Sequence, residues 1–374
     1  QRELRPQMIL EMARAYLGQG PRDRARLRAE ISLSIRRRAH PADSLAMAES
    51  LDFLGRVRLE QGELDGAERA FREALGLRQR HQVRGHSDVA RTLNGLAGLL
   101  RAAGRFRSAD SISREAVAID SAQTELKPLH LAESLIGLAH AVHELGGHAE
   151  GEQLYRRALA LQRSVRPAGD AEVAATMLDL AAALGDARDY AAADSLFNQG
   201  LALERGVLGN EHPDVARNEA RYARLLHLAG KDSASELLYR HSLETMRRWL
   251  PNVHPLTATT LLGLGMLLHD RGASDRAEPL IREGHAMRLT ALRQPTHPAV
   301  AESKEAMGAV IMARGRYVEA ERYLMESRDG LRAAYGDADS RSGEALSRLI
   351  RLSQLSGQPA RAKRYRAELD NARP

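Results

Sequence analysis

A repeat of 42 residues runs through this chain of 374 residues and constrains its fold more than any other feature. It is clearest in a column of turn residues, each followed by a new helical segment. Successive members are 42 residues apart, except for one step of 43 between Gly272 and Gly315. The column consists of Gly20, Gly62, Gly104, Gly146, Arg188, Gly230, Gly272, Gly315 and Gly357. Glycine closes helices because it adopts the left-handed conformation without strain, so we expect Gly185 to serve the turn where Arg188 replaces glycine.

Three columns of small residues keep the same register as the turns. They lie seven residues before each turn, and five and twelve residues after it, as Ala97, Ala109 and Ala116 do in the third unit. Small side chains at fixed places let neighbouring helices approach closely. Several units begin with a polar residue and proline, as at His212-Pro213, and proline is favoured at the first position of a helix. The pattern therefore predicts an array of antiparallel helix pairs, about nine of them.

The composition agrees with a helical repeat protein. Aromatic residues make up 4% of the chain and the apolar residues are mostly Leu and Ala, which suits helix packing rather than a β core. There is no cysteine, so disulfides and thiolate metal sites are excluded. No apolar stretch approaches the roughly 18–20 residues that cross a bilayer, and we expect a cytoplasmic protein.

The formal net charge is +6, with a pI near 9.8. The chain has four lysines and many more arginines. Enrichment in both arginine and alanine is typical of proteins encoded by GC-rich bacterial genomes. The high pI is therefore weak evidence for nucleic-acid binding. The chain begins at Gln1 without methionine, so we expect a processed or excised piece of a longer protein.

These columns resemble those of the tetratricopeptide repeat (TPR), which has small residues at its eighth, twentieth and twenty-seventh positions and glycine at the inter-helix turn. The 42-residue period and the phrase LGNEHPDVA, residues 208–216, resemble the kinesin-light-chain type of this repeat. The resemblance covers essentially the whole chain. It implies an all-α fold, a right-handed superhelical α-solenoid of about nine antiparallel helix pairs. Residues 1–374 would form one array, with residues 338–374 as a degenerate C-terminal capping pair.

The sequence lacks the motifs of catalysis. Gly230-Lys231 is not accompanied by the rest of a phosphate-binding loop. His269-Asp270-Arg271 ends a helical segment, and the other elements of a kinase are missing. No nucleophile stands in a recognisable relation to a histidine and an acid. We therefore expect no enzyme activity, no catalytic residue and no cofactor.

The histidines fall into two columns with different expected roles. Those that precede helices, such as His212 and His254, are helix-start residues. His143, His227 and His269 lie three residues before their turns. Neighbouring helices stack roughly 8–10 Å apart, whereas metal ligands must lie about 2 Å from the ion. We therefore expect no metal site, and a solvated column of histidines that faces a partner.

In the TPR family, the first helix of each pair lines a concave inner surface, and the resemblance implies a peptide-binding groove there. The expected groove residues are Arg91, Asn94, Arg101, His140, His143, Arg217, Arg221, Arg224, His227 and His269. Asn94 keeps one asparagine of the family phrase LNNLA, and Gly95 replaces the other. Arginine binds carboxylates through two hydrogen bonds, and a concave surface concentrates the electric field. We therefore expect a scaffold that binds an extended acidic peptide or a partner domain, although an arginine-rich face is also typical of a simple solvated surface.

Other functions stay open at this point. One alternative is the sensor or regulatory arm of a larger bacterial signalling enzyme, such as a Ser/Thr kinase or a signalling ATPase, and another is self-association through the end repeats. We expect no membrane partner. We also expect no nucleic-acid partner, because Tyr222 is the only stacking aromatic of the groove and the basic runs Arg22–Arg28 and Arg36–Arg38 lie at one end. Trp249, the single tryptophan, aligns with Val207 and should fill a gap between pairs.

Overall fold

The computed structural model describes residues 4–18, 22–39, 44–82, 85–123, 127–167, 169–337 and 339–372. The described residues form eighteen α-helices and no strand. We call the odd-numbered helices first helices and the even-numbered ones second helices. In chain order they are α1 (Leu4–Gly18), α2 (Arg22–Ala39), α3 (Ser44–Glu60), α4 (Leu64–His81), α5 (Ser87–Ala102), α6 (Phe106–Ser121), α7 (Pro128–Glu144), α8 (His148–Arg163), α9 (Ala171–Asp186), α10 (Tyr190–Leu208), α11 (Pro213–Leu228), α12 (Asp232–Trp249), α13 (Pro255–Asp270), α14 (Ser274–Leu292), α15 (Pro298–Ala313), α16 (Tyr317–Tyr335), α17 (Ser340–Leu355) and α18 (Pro359–Ala372). This confirms the predicted all-α solenoid of helix pairs.

The chain divides into two compact units. Unit 1 comprises residues 1–144 and 153–165, and unit 2 comprises residues 145–152 and 166–374. Within each unit a first helix packs against the second helix of its own pair, as α3 does against α4 and α13 against α14. A second helix also packs against the first helix of the next pair, as α2 does against α3 and α14 against α15. That residues 1–374 form a single array with a capping pair at residues 338–374 stays a prediction.

The turns within the pairs have the left-handed backbone that the glycine column predicts. From Gly62 to Gly357, the glycines of this column have φ between 70° and 81°. Arg188 itself adopts a φ of 65°, so the expectation that Gly185 serves this turn is wrong. Gly185 lies inside α9, where an added Cβ would come within 2.7 Å of Leu225. Gly20 lies outside the described residues.

Histidines begin several first helices by capping their free amides. The first amides of a helix have no partner within the helix. Nδ1 of His212 accepts a hydrogen bond from the amide of Asp214 at 3.1 Å, and His254 and His297 accept the same bond from the residue two positions on. Pro213 occupies the first helical position, where a missing amide costs nothing. The structure confirms the helix-start role of these histidines.

Small residues allow close contacts both within a helix pair and between successive pairs. Ala97, Ala109 and Ala116 are buried. The ring of Phe71 fills the space beside Gly95, and a Cβ added to this glycine would come within 2.5 Å of the ring. Gly95 stands where the family phrase LNNLA has its second asparagine. Because glycine has no side chain, the Phe71 ring can occupy this space.

Trp249 does not fill a gap between pairs, so that expectation is wrong. Its side chain is 60% exposed, and that of the aligned Val207 is 55% exposed. Met246 is the last buried residue of α12, whereas the helix continues to Trp249. The tryptophan therefore lies one turn beyond the core.

A contact between polar groups recurs at the junctions between successive pairs. It joins a buried residue near the end of a second helix to a residue 14 positions later, in the next first helix. The place is the same at five junctions, but the side chains differ. The contacting residues are Arg36 and Ser50, Arg78 and Thr92, and Asp120 and Ser134 in unit 1, and Glu204 and Asn218, and Met246 and Thr260 in unit 2. Stacking in this register gives these buried groups hydrogen-bond partners, while Oδ1 of Asp120 makes no hydrogen bond within the described residues.

The junction between α4 and α5 contains a buried ion pair. The Arg78 guanidinium donates hydrogen bonds to Asp52, to Thr92 and, at 2.8 Å, to the backbone oxygen of Asp88. Arg78 and Asp52 are both buried. Burial raises the pKa of the Asp52 carboxyl to about 6, while Arg78 and Thr92 act in the opposite direction. The ion pair links α3, α4 and α5.

Gly95→Ala should reduce stability, because the new methyl group overlaps the Phe71 ring. We expect the free energy of unfolding to fall by about 1–3 kcal/mol, measured by urea denaturation. Gly98→Ala in the same helix is the matched control, since its Cβ would lie 3.9 Å from Leu59, an ordinary contact distance. The better helix propensity of alanine should make this second variant more stable by up to roughly 1 kcal/mol. Equal effects of the two substitutions would contradict the packing argument.

Arg78→Met should destabilise the chain strongly, because it leaves the Asp52 carboxylate buried without its counter-charge. Removing one partner of a buried ion pair costs about 3–5 kcal/mol. The double variant Arg78→Met/Asp52→Leu should recover most of this loss, since no charge remains buried. Urea denaturation of the three proteins measures the difference. A double variant as unstable as the single one would show that charge is not the cause.

Candidate functional site

The first helices form one face of each unit. First helices of neighbouring pairs contact each other, α3 with α5 and α5 with α7 in unit 1, and α11 with α13 and α13 with α15 in unit 2. In unit 1, Arg56 of α3 lies 3.5 Å from Glu133 of α7, so two first helices separated by α5 approach each other on this side. Such an approach makes the face concave. We call the first-helix side of each unit its inner face.

Arg91 and Asn94 of α5 are engaged in contacts within unit 1. Arg91 forms an ion pair with Asp88 of its own helix, with an N–O distance of 2.8 Å. Nδ2 of Asn94 donates a hydrogen bond to the Ser134 hydroxyl at 2.8 Å, and its Oδ1 is buried. The Asn94 amide therefore belongs to the junction with the next pair, although its position was predicted to face a peptide.

Arg101, His140 and His143 are the other predicted groove residues of unit 1, and all three are half-buried. The Nε of Arg101 is buried and makes no hydrogen bond within the described residues. The His140 ring stands edge-on to the Tyr155 ring, with the ring centres 5.5 Å apart. His143 lies in the last turn of α7. Parts of these three side chains remain accessible to a ligand.

Three arginines of α11 lie on the inner face of unit 2, and each has an aspartate partner. The pairs are Arg217 with Asp214 in the same helix, and Arg221 with Asp179 and Arg224 with Asp186 across to α9, with N–O distances of 2.8, 2.9 and 2.6 Å. A guanidinium has five N–H donors, so one such contact leaves several free. The Arg224 side chain is 59% exposed, and its remaining donors can bind a second carboxylate.

His227 connects α11 to α12 and to α13 through one carboxylate of each. Its Nδ1 lies 2.8 Å from Asp232 and its Nε2 lies 3.0 Å from Asp270. The hydrogen bond with Asp270 is the main reason why the pKa of His227 is raised, and Asp232 adds to the effect while burial opposes it. The imidazolium form is therefore favoured on this part of the inner face.

The pKa of His269 is shifted in the opposite direction to that of His227. Its Nδ1 contacts the Ser274 hydroxyl at 3.0 Å. Burial lowers the pKa of His269, Arg348 and Arg351 of α17 lower it further, and Asp270 opposes them. Arg348 and Arg351 thus influence His269 across an intervening pair, because α13 and α17 belong to pairs that are not neighbours.

Arg348 and Arg351 are inner-face cations that the sequence-based selection missed. Arg348 forms an ion pair with Glu305 of α15 at 2.7 Å. Arg351 is exposed, and within the described ranges no carboxylate is paired with it. It belongs to the same column as His140 and Arg224, so continuing the count into the ninth pair would have found it.

The inner faces carry charged and hydrogen-bonding side chains. No group of three or more His, Asp or Glu side chains in the described part of the chain is placed to hold a metal ion. Among the same residues, no helix combines the length and the apolar character that crossing a bilayer requires.

His227→Gln should destabilise the chain in a pH-dependent way. A histidine whose pKa is raised by folding stabilises the folded state fully below its unfolded value of 6.5, and this contribution is lost as the pH rises through the raised pKa. We expect the variant to melt at a lower temperature than the original chain at about pH 5.5 and at nearly the same temperature at about pH 9. His269→Gln is the control, because its lowered pKa gives the opposite trend. An equal deficit of the His227 variant at both pH values would contradict the assignment.

Solved structures with this fold cover much or all of the chain. The apo form of the quorum sensor NprR from B. thuringiensis matches 100% of this chain and 99% of its own, with a TM-score of 0.65 at 12% identity. A Rap protein complexed with competence and sporulation factor matches over 87% of this chain and 97% of its own, with a TM-score of 0.61 at 13% identity. A putative kinesin light chain of Podospora anserina, with TPR-like repeats, matches over 56% and 98%, with a TM-score of 0.43 at 21% identity. The likenesses to NprR and to the Rap protein show the fold alone. No curated protein matches the sequence.

The tetratricopeptide-repeat family matches the sequence itself. The matched residues are 47–88 and 89–119, and 129–205 and 172–248. Together they span about half of the chain, and they include α11 with its three inner-face arginines. The matches agree with the glycine turns and the small-residue columns of the helix pairs. The chain belongs to the tetratricopeptide-repeat family.

Proposed function

We propose that this chain is a non-catalytic scaffold that binds an extended acidic peptide of a partner protein on the inner face of unit 2. Membership of the TPR family supports a role in protein interaction, because stacked repeats present extended concave surfaces. Two structures with this fold are described as a quorum sensor and as a complex with competence and sporulation factor.

The convergence of cations from separate first helices carries the proposal. His227 of α11 contacts Asp270 of α13 at 3.0 Å, and Arg348 of α17 contacts Glu305 of α15 at 2.7 Å. The first helices α13 and α15 also contact each other, so α11, α13, α15 and α17 lie side by side. Side chains from α11 to α17 therefore lie on one side of unit 2, where a bound carboxylate would interact with several cations at once.

The aspartate partners prepare the arginines for binding. Asp179 and Asp186 of α9 hold the guanidinium groups of Arg221 and Arg224 on the inner face. Holding a flexible side chain in place before a ligand arrives reduces the entropy lost on binding. The free donors of each guanidinium can then bind a peptide carboxylate through two hydrogen bonds.

In unit 1, the proposal extends to the accessible parts of Arg101, His140 and His143. Arg91 and Asn94 contribute less, because the contacts already described engage their side chains. In unit 2, Arg217 also contributes less to peptide binding, since its aspartate partner lies in its own helix.

Arg224→Glu/Arg351→Glu should weaken the binding of an acidic peptide. The probe is fluorescein-labelled octaglutamate, and the measurement is fluorescence anisotropy at low and high salt. Each lost charge-assisted contact is worth about 1.5–3 kcal/mol, so we expect the Kd to rise by at least roughly tenfold. Salt should weaken the binding of the original chain, because it screens exposed charges. The melting temperature should change little, since exposed ion pairs contribute little to folding.

The matched control is Arg240→Glu/Arg247→Glu on the second helix α12. These two arginines are 50% and 51% exposed and ion-paired, as Arg224 is, but they lie outside the inner face. This control should bind octaglutamate as the original chain does. No binding at low salt, or equal weakening by both double variants, would contradict the proposal. Equal affinity for labelled octalysine would contradict it as well.

A further inference from the structure

The net charge of the chain is concentrated in its first helix pair. Residues 1–39 contain ten arginines and four acidic residues, an excess of six that equals the net charge of the whole chain. The other 335 residues hold 45 of the 55 basic and 45 of the 49 acidic residues, so they are neutral as a set. Most of the excess lies in α2, which has seven arginines and two acidic residues. A cationic region of this kind attracts anions to one end of unit 1.

A cavity of about 490 Å³ lies between α2, α3 and α4. Two arginines of α2, Arg37 and Arg38, line it. Its floor consists of Leu33, Leu51, Leu54 and Ala70, which are all buried. Small-molecule sites have volumes of about 300–1,000 Å³ and combine an apolar lining with a few polar groups. The cavity has the size and the floor of such a site.

The rim of the cavity carries more positive than negative charge. Its charged residues are Arg37, Arg38, Arg58, Arg69, Glu30 and Glu73. Both glutamates are paired, Glu73 with Arg37 at 2.5 Å and Glu30 with Arg58 at 3.1 Å. Arg38 and Arg69 are exposed, and neither has an acidic partner in the described part of the chain. Two guanidinium groups beside an apolar floor are therefore available to a ligand.

This combination is specific to the first junction of the repeat. Arginine occupies the places equivalent to Arg37, Arg38 and Arg69 together at no other junction. In unit 2, a cavity of about 250 Å³ at the last pair is lined by two arginines and two acidic residues, so its charges balance. The excess of positive charge is thus not a general property of the recesses between second helices.

We propose that the cavity between α2, α3 and α4 binds a small organic anion with an apolar body. The apolar part contacts Leu51 and Leu54, and the anionic head contacts Arg38 and Arg69. Guanidinium groups bind carboxylate and phosphate oxygens through the same paired N–H donors. The shared chemistry is therefore an anionic head on an apolar body, whether it is carboxylated or phosphorylated. The site lies in unit 1 and uses none of the residues proposed for the peptide, so it does not depend on that proposal.

Isothermal titration calorimetry of the full chain tests this site with three probes: octanoate, octyl phosphate and 1-octanol. We expect saturable binding to one site for at least one of the two anions, and at least roughly tenfold weaker binding of the neutral octanol. The better of the two anions identifies the head group. Absence of saturable binding by both anions would overturn the proposal, and so would equal affinity for octanol.

The variant Arg38→Ala/Arg69→Ala should bind the preferred anion at least roughly tenfold more weakly, because it loses both free guanidinium groups. Its melting temperature should match that of the original chain, since the two side chains are exposed and unpaired within the described residues. Arg240→Ala/Arg247→Ala on α12 is the control for a general loss of positive charge, and it should bind normally. Unchanged binding by the Arg38/Arg69 variant would overturn the site even if the chain binds the anion. Loss of octaglutamate binding in the other experiment would leave this result unaffected.

Discussion

Close approach of first and second helices at the small-residue columns is the contact on which the rest of the structure depends. An added Cβ at Gly265 would come within 2.4 Å of Ile281, and one at Gly308 within 2.6 Å of Leu324. These are contacts between helices of one pair, at the same place in successive repeats. Because this contact recurs in successive pairs, first and second helices alternate regularly. First helices therefore come together on one side of each unit, which creates the inner face.

The junctions between pairs add specificity to this uniform packing. Arg78 meets Thr92 and Asp52, whereas Glu204 meets Asn218 at the corresponding place. Helix pairs stacked in the wrong order would bury an arginine or a carboxylate without its partner, and an unpaired buried charge costs several kcal/mol. The same contacts explain part of the arginine content, since some arginines serve as buried connections. The overall pI is therefore a weaker guide to ligands than the local excess of charge in the first helix pair.

The fold could be predicted from the sequence because the glycine turns and the small residues act within one helix pair and recur at a fixed spacing. Arg188 shows the limit of this argument, because its left-handed backbone is imposed by the surrounding pair. Trp249 shows another, since a column gives the register of a helix but not how far it extends beyond the core. For the candidate site, the count assigned Arg224 to the inner face, and its role there stays a prediction. The count could not identify Asp186 as the partner of Arg224, because that contact depends on how neighbouring pairs stack. Arg351 was missed because the ninth pair was treated as a cap.

The short span of the junction contacts has a consequence for how the chain assembles. Each joins residues 14 positions apart, and closing so short a loop costs little conformational entropy. Neighbouring pairs can thus find each other through local contacts, unlike the strands of a sheet, which must meet distant partners before they gain stability. A chain leaving the ribosome from its N-terminus therefore delivers each new helix pair to a neighbour that has already folded.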